Sequence, residues 1–157
     1  MRLAPHAWAR LSMARFFTLD QAERLLPRVE ASVREALFLK AEFQESDSTL
    51  RQAARAIILS GGMNVDRDHM LQVRQRRDTA ASQLQAALER IQEYGCLVKD
   101  LDIGLLDFPT LYHGREVYLC WRLGEQHIEF WHGVEEGFRG RKPIDREFLM
   151  NHTADPA

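Results

Sequence analysis

The sequence predicts an α+β protein: a long antiparallel helical hairpin, kinked at Pro27, followed by a small antiparallel β-sheet. Three observations predict it. Residues 18–94 carry apolar side chains at helical spacing. The pair Gly61-Gly62 divides that stretch in two, and from Leu97 onward polar and apolar residues alternate between glycine turns.

The first helix opens on Thr18-Leu19-Asp20-Gln21, a capping box in which the Thr hydroxyl accepts from the Gln21 amide and Gln21 reaches back. Its seam reads Leu26, Val29, Val33, Ala36, Phe43, Leu50, Ala54 and Ile57, interrupted by Lys40 and Asp47. Pro27 lacks an amide donor and should bend the helix. Ser46-Asp47-Ser48 is a weaker point, since these side chains compete for backbone hydrogen bonds; the helix is nonetheless carried to about Leu59. Ser60-Gly61-Gly62-Met63-Asn64 ends it, with Gly61 or Gly62 suited to a left-handed cap. Asp66 and Asp68 then place negative charge at the start of a second helix that stops at Gly95. Its seam is Met70, Val73, Ala80, Leu84, Ala87 and Ile91, interrupted by Arg77, with Leu71, Ala81 and Leu88 widening the stripe. A helix of about 40 residues is roughly 60 Å long. One partner helix cannot cover it, so a second copy of the hairpin is expected to pack on the first in a homodimer.

In the β region, Leu97–Leu101 and Leu105–Phe108 read as short strands around Gly104, with Pro109 ending the run. Glu116–Arg122 and His127–His132 read as a hairpin around the loop Leu123-Gly124-Glu125-Gln126. Alternation puts Val117, Leu119 and Trp121 with Ile128 and Phe130 on a core face. Tyr118, Cys120 and Arg122 then share the other face with His127, Glu129 and Trp131, and the expected cross-strand pairs are Arg122 with His127, Cys120 with Glu129, and Tyr118 with Trp131.

Composition limits the function classes. The 157 residues are 45% apolar and 28% charged with a net charge of −2, which gives no general pull towards nucleic acid or anionic lipid. No apolar run approaches the roughly 20 residues that span a bilayer. Cys96 and Cys120 are isolated, without CxxC spacing, and suggest reduced thiols in the cytoplasm. Residues 1–15 are basic and acid-free and read as a disordered tail, with Met1 and Met13 both open as the natural start. One α+β domain is expected over 16–144, comprising the hairpin 18–94 and the β unit 97–134, followed by a C-terminal tail at 145–157.

Three kinds of site compete on the β unit. His127, Glu129 and Cys120 would supply imidazole, carboxylate and thiolate to zinc, whereas Asp100 and Asp102 would offer hard oxygens to magnesium or manganese. The plain alternative to the first set is an Arg122–Glu129 ion pair beside Tyr118 and Trp131. Arg139, Arg141 and Lys142 could capture a small anion; the alternative is that they pair with acids such as Glu135 or Glu136. Cys120 could be a nucleophile with His127 as its base, but a cysteine in mid-strand is more often inert filler.

The stretches KDLDIGLLDFP, REVYLCWRLGE and WHGVEEGFRGR-x-P, with the early FTLDQAERLLP, resemble a bacterial family of uncharacterised proteins, the one carrying the domain of unknown function two-two-zero-three. The resemblance covers Phe16 to Ile144 and implies a small cytoplasmic protein of helices followed by a sheet, with no established activity. It implies recurring positions at Pro27, Asp100, Asp102, Gly104, Asp107, Phe108, Pro109, Trp121, Gly124, Glu125, Trp131, His132, Gly137, Phe138 and Arg141. The family often has proline after the Gly-Glu turn, where this chain has Gln126.

With the resemblance, Asp100, Asp102, Asp107, Trp121, Glu125, His132, Phe138 and Arg141 become the candidate binding residues. His132, Asp100 and Asp102 rank ahead of His127, Glu129 and Cys120 as metal ligands. The expected role is a cytoplasmic, self-associating binding module without catalysis or cofactor, taking a protein or small-anion ligand and no membrane. A metal-dependent hydrolase using the acidic and His132 pocket with a divalent ion is the alternative. Nucleic-acid binding, through Arg74, Arg76, Arg77, Arg139, Arg141 and Lys142, comes third.

Overall fold

The computed structural model describes residues 15–62 and 65–156. Residues 1–14 of the tail expected at 1–15, like Met63 and Asn64 of the helix break, lie outside the described residues. Helix α1 is Leu19–Ser60 and α2 is Arg67–Glu93. Strands β1 Leu97–Asp100, β2 Leu105–Tyr112, β3 Arg115–Arg122, β4 Phe130–Gly133 and β5 Lys142–Pro143 form an antiparallel sheet in chain order. A short helix α3, Arg146–Asn151, leads into β6, His152–Thr153, which pairs with the far end of β2. Thus the architecture is α+β, a helical hairpin followed by a small antiparallel sheet. The chain divides into two compact units, residues 30–90 and residues 15–29 with 91–156.

The helices begin and end on their local signals. Gln21 N donates to Thr18 Oγ1 at 3.2 Å, while Thr18 N donates to Gln21 Oε1 at 3.0 Å, closing the capping box. Gly62 N reaches Ile57 O at 3.0 Å with both glycines at positive φ, the left-handed end expected of this pair. Asp66 caps α2, its Oδ1 accepting from His69 N at 3.1 Å. Pro27 lies inside α1, which is continuous around it.

In the helical unit the core is small: Val33, Ala36, Leu39, Ala80 and Ala87 are buried. Arg76 Nε–Glu42 at 2.7 Å, Arg90–Glu35 at 2.6 Å and Arg77–Asp47 at 3.6 Å run between α2 and α1, which lie antiparallel. The last pair resolves a sequence irregularity. Asp47, one of the two charged residues that interrupt the first seam, meets Arg77, which interrupts the second.

In the sheet unit every residue of β2 from Leu105 to Leu111 is buried, so both faces are covered. One face carries Leu106, Phe108, Leu119 and Trp121, with Phe17 edge-on to Phe108 at 5.5 Å. The opposite face carries Asp107, Tyr118 and Cys120, joined by Phe130 and His132 from β4.

Four expectations are corrected here. Pro109 does not end a strand; β2 runs through it to Tyr112. Its carbonyl accepts from Phe17 N at 2.7 Å, on the edge away from β3. A residue's N–H and C=O point to the same edge of a strand, so the missing donor of Pro109 costs no β2–β3 ladder bond. Secondly, the β3–β4 loop spans residues 123–129 and shifts the register by one: Cys120 faces Phe130 and Tyr118 faces His132. None of the expected pairs, Cys120–Glu129, Tyr118–Trp131 or Arg122–His127, forms. Thirdly, a one-residue slip exchanges faces, so Trp131 joins Leu119 and Trp121, while Phe130 and His132 turn to the side of Asp107. Finally, residues 145–156 are not a tail. Asp145 caps α3 through Phe148 N at 2.8 Å, and Phe148 is fully buried, stacked on Tyr112 and Trp131.

Candidate functional site

Three buried side chains converge on the second face of the sheet. Asp107 and Cys120 are cross-strand partners on β2 and β3, and His132 on β4 lies opposite Tyr118. Asp107 is 1% exposed, Cys120 0% and His132 3%, and one ligand atom from each lies within 4.8 Å of the others. No other group of three such residues meets in this way among the described residues.

The hydrogen bonds fix the protons. His132 Nδ1 is 2.8 Å from Gly133 O, an atom that can only accept, so Nδ1 carries a hydrogen. Nε2 is 2.9 Å from Asp107 Oδ1, and one proton must lie between them, since two bare lone pairs would repel. Whichever atom holds it, the pair is neutral as a whole. Asp107 Oδ2 is buried with no hydrogen-bond partner. Burial first, then the Asp107 charge, pushes the Cys120 thiol up to about 12. Cys120 is therefore a neutral thiol at ordinary pH, and His132 has no free lone pair with which to activate it.

A second cluster lies beside it. Arg141 makes a two-pronged pair with Glu125, Nη1–Oε1 at 2.8 Å and Nη2–Oε2 at 2.7 Å. Its Nη2 also reaches Cys120 O at 3.3 Å. The guanidinium lies over Phe130 at 4.1 Å and Phe138 at 4.8 Å. Glu125 accepts in addition from Arg122 N at 2.9 Å, and its backbone carbonyl accepts from Trp121 Nε1 at 2.9 Å. Burial opposes ionisation of Glu125, but the hydrogen bonds from Arg141 and the Arg122 amide win and hold its carboxyl below the usual range. This clasp ties the β3–β4 loop to the segment before β5 and braces the loop at the observed register.

The structure thus separates the eight candidate binding residues. Asp107 and His132 belong to the buried trio; Trp121, Glu125, Phe138 and Arg141 belong to the clasp. Asp100 instead holds a turn, accepting from Asp102 N at 2.9 Å, and both aspartates are exposed outside the trio. His127 is on the surface against Glu23 at 3.4 Å, and Glu129 is exposed, so neither reaches Cys120. In the basic loop, Arg141 is held by Glu125 and Lys142 by Glu136 at 2.7 Å, which removes two of the three cations proposed for an anion. Each member of the trio is a candidate by sequence, but alternation alone does not bring the three into one group. Their common signal was positional: each falls inside a motif of the family resemblance, in LLDFP, LCWR and WHG.

No described helix is long and apolar enough to cross a membrane. The fold and its site define a small α+β protein with a buried polar centre. The sequence profile of the family described as "Uncharacterized conserved protein (DUF2203)" matches residues 15–144, and the chain belongs to that family. No curated protein and no solved structure matches the chain.

Proposed function

We propose that the protein is a self-associating binding module of the cytoplasm, without catalysis of its own, in which the free end of the helical hairpin is the contact between copies. One observation carries this reading. Ile57, Ile58 and Leu59 close α1 at 38%, 79% and 87% exposure, and Leu71, one turn into α2, is 57% exposed. These residues sit at the same end of the hairpin, because the loop between the helices is short. Arg55 and Arg67 alternate there with Asp66 and Asp68, so a second copy meets no single-sign repulsion. Each large apolar side chain removed from water on association contributes about 2 kcal/mol.

The hydrolase alternative draws less support. It requires acids and His132 around an open pocket, whereas Asp100 holds a turn, Glu125 is engaged by Arg141, and His132 is buried against Asp107. The test is sedimentation velocity of the whole chain across the micromolar range. Wild type is expected to sediment as a dimer with a concentration-dependent thermal melt, and an Ile58→Glu, Leu59→Glu variant as a monomer with the far-UV circular dichroism of wild type and a melt independent of concentration. A monomeric wild type at every concentration overturns the proposal.

A further inference from the structure

We propose that Asp107, Cys120 and His132 form a binding site for one divalent transition-metal ion of the zinc type. The site lies in the sheet unit and is independent of the self-association proposed for the hairpin.

Four observations carry it. The donor set is an imidazole nitrogen, a thiol sulfur and a carboxylate, the mixture that suits zinc and excludes the hard ions magnesium and calcium. Their ligand atoms already lie within 4.8 Å of one another, on three adjacent strands whose register holds them there. His132 gives its Nδ1 hydrogen to Gly133 O at 2.8 Å. That bond leaves Nε2 turned inward, which is how metal-binding histidines are oriented by their outer partners. Fourthly, Asp107 Oδ2 is buried without a hydrogen-bond partner of good geometry, with the Cys120 thiol as its polar neighbour. A buried oxygen without a partner costs about 1–3 kcal/mol and needs a reason; as a ligand atom it has one.

Charge balance selects a divalent ion. Without metal the trio holds two exchangeable protons, one on the Cys120 sulfur and one between His132 Nε2 and Asp107 Oδ1. A divalent cation replaces both, binding to thiolate, carboxylate and neutral imidazole. Two protons leave as two positive charges enter, and the closed centre stays neutral before and after, which avoids the cost of a net buried charge. The site is closed to solvent, so the ion would enter as the chain folds or when the sheet locally opens.

The experiment is cobalt substitution, in which a thiolate bound to Co(II) gives an intense near-ultraviolet charge-transfer band. Protein produced with Co(II) in the growth medium is expected to carry close to one ion per chain and to show that band. Cys120→Ser should remove the band while Cys96→Ala, which alters the only other thiol, keeps it. Asp107→Asn should weaken retention against a chelator about tenfold or more. Because Cys120 is buried, far-UV circular dichroism accompanies each variant, and a readout on unaltered protein stands beside them. Wild type produced in zinc-supplemented medium should melt higher than the same protein after chelator treatment during refolding. Folded wild type with neither bound ion nor zinc-dependent melting overturns the proposal, as does a cobalt band that survives in Cys120→Ser.

Discussion

The helical unit and the sheet unit place charge in opposite ways. In the helices, charge is on the outside: Arg76–Glu42 and Arg90–Glu35 are exposed pairs, and the core beneath is mostly alanine and valine. In the sheet, charge is on the inside: Asp107–His132 is buried almost completely, and Arg141–Glu125 is 11% and 20% exposed. Water screens the first kind and makes each pair dispensable. The second kind is set into a medium where an unpaired member is costly. Sheet polarity therefore bears on register, whereas helix polarity mainly faces water.

Substitutions sharpen this contrast. The largest loss is expected for His132→Ala in metal-free protein, about 4 kcal/mol by urea unfolding, because the buried Asp107 carboxylate is left alone. Arg141→Ala should cost about 2 kcal/mol, less because Glu125 keeps the Arg122 amide and some solvent. If Arg141→Ala proved neutral, the clasp would not be what braces the register. Acid should act through the same residue. The carboxyl of Glu125 is held below its unfolded value, so its stabilisation is complete above the unfolded pKa of about 4.3. That contribution is lost as pH falls through the lower, folded value. Arg141→Met should accordingly flatten the acid limb of a stability–pH curve. His152→Ala removes the acceptor of Leu19 N, at 3.0 Å, and should cost about 1 kcal/mol, like loss of a helix cap. Smallest of all, Arg76→Ala should leave the melt unchanged within error, despite geometry as good as that of Arg141.

The same contrast explains what could be read from the sequence. The helices were legible to their ends because their signals are local: Thr18 with Gln21, Gly61-Gly62, Asp66, Gly95. The sheet's approximate strand positions were legible from alternation. Its register was not, because it depends on where the loop after Arg122 closes, and the partner of Glu125 in that loop is Arg141, beyond the next strand. One residue of error turned His132 away from Asp107 and grouped Cys120 with Glu129 instead. Pro109 misled because its meaning depends on which edge of β2 it faces. The segment after Ile144 carried a cap signal in Asp145, but nothing local says that Phe148 has Trp131 and Tyr112 waiting.

The bond between Leu19 N and His152 spans 133 positions, and β6 reaches β2 through the same segment. On the ribosome this sets an order of events. Helices α1 and α2 can pair as soon as they emerge, but the exposed start of α1 and the open edge of β2 must wait for residue 152. For that interval the nascent sheet presents an unpaired strand edge and bare aromatic rings, the surfaces that chaperones recognise and that make incomplete chains adhere to one another. A stall or truncation just after residue 144 would leave the family's own motifs whole, and yet release a chain that has every signature residue and a sheet it cannot close.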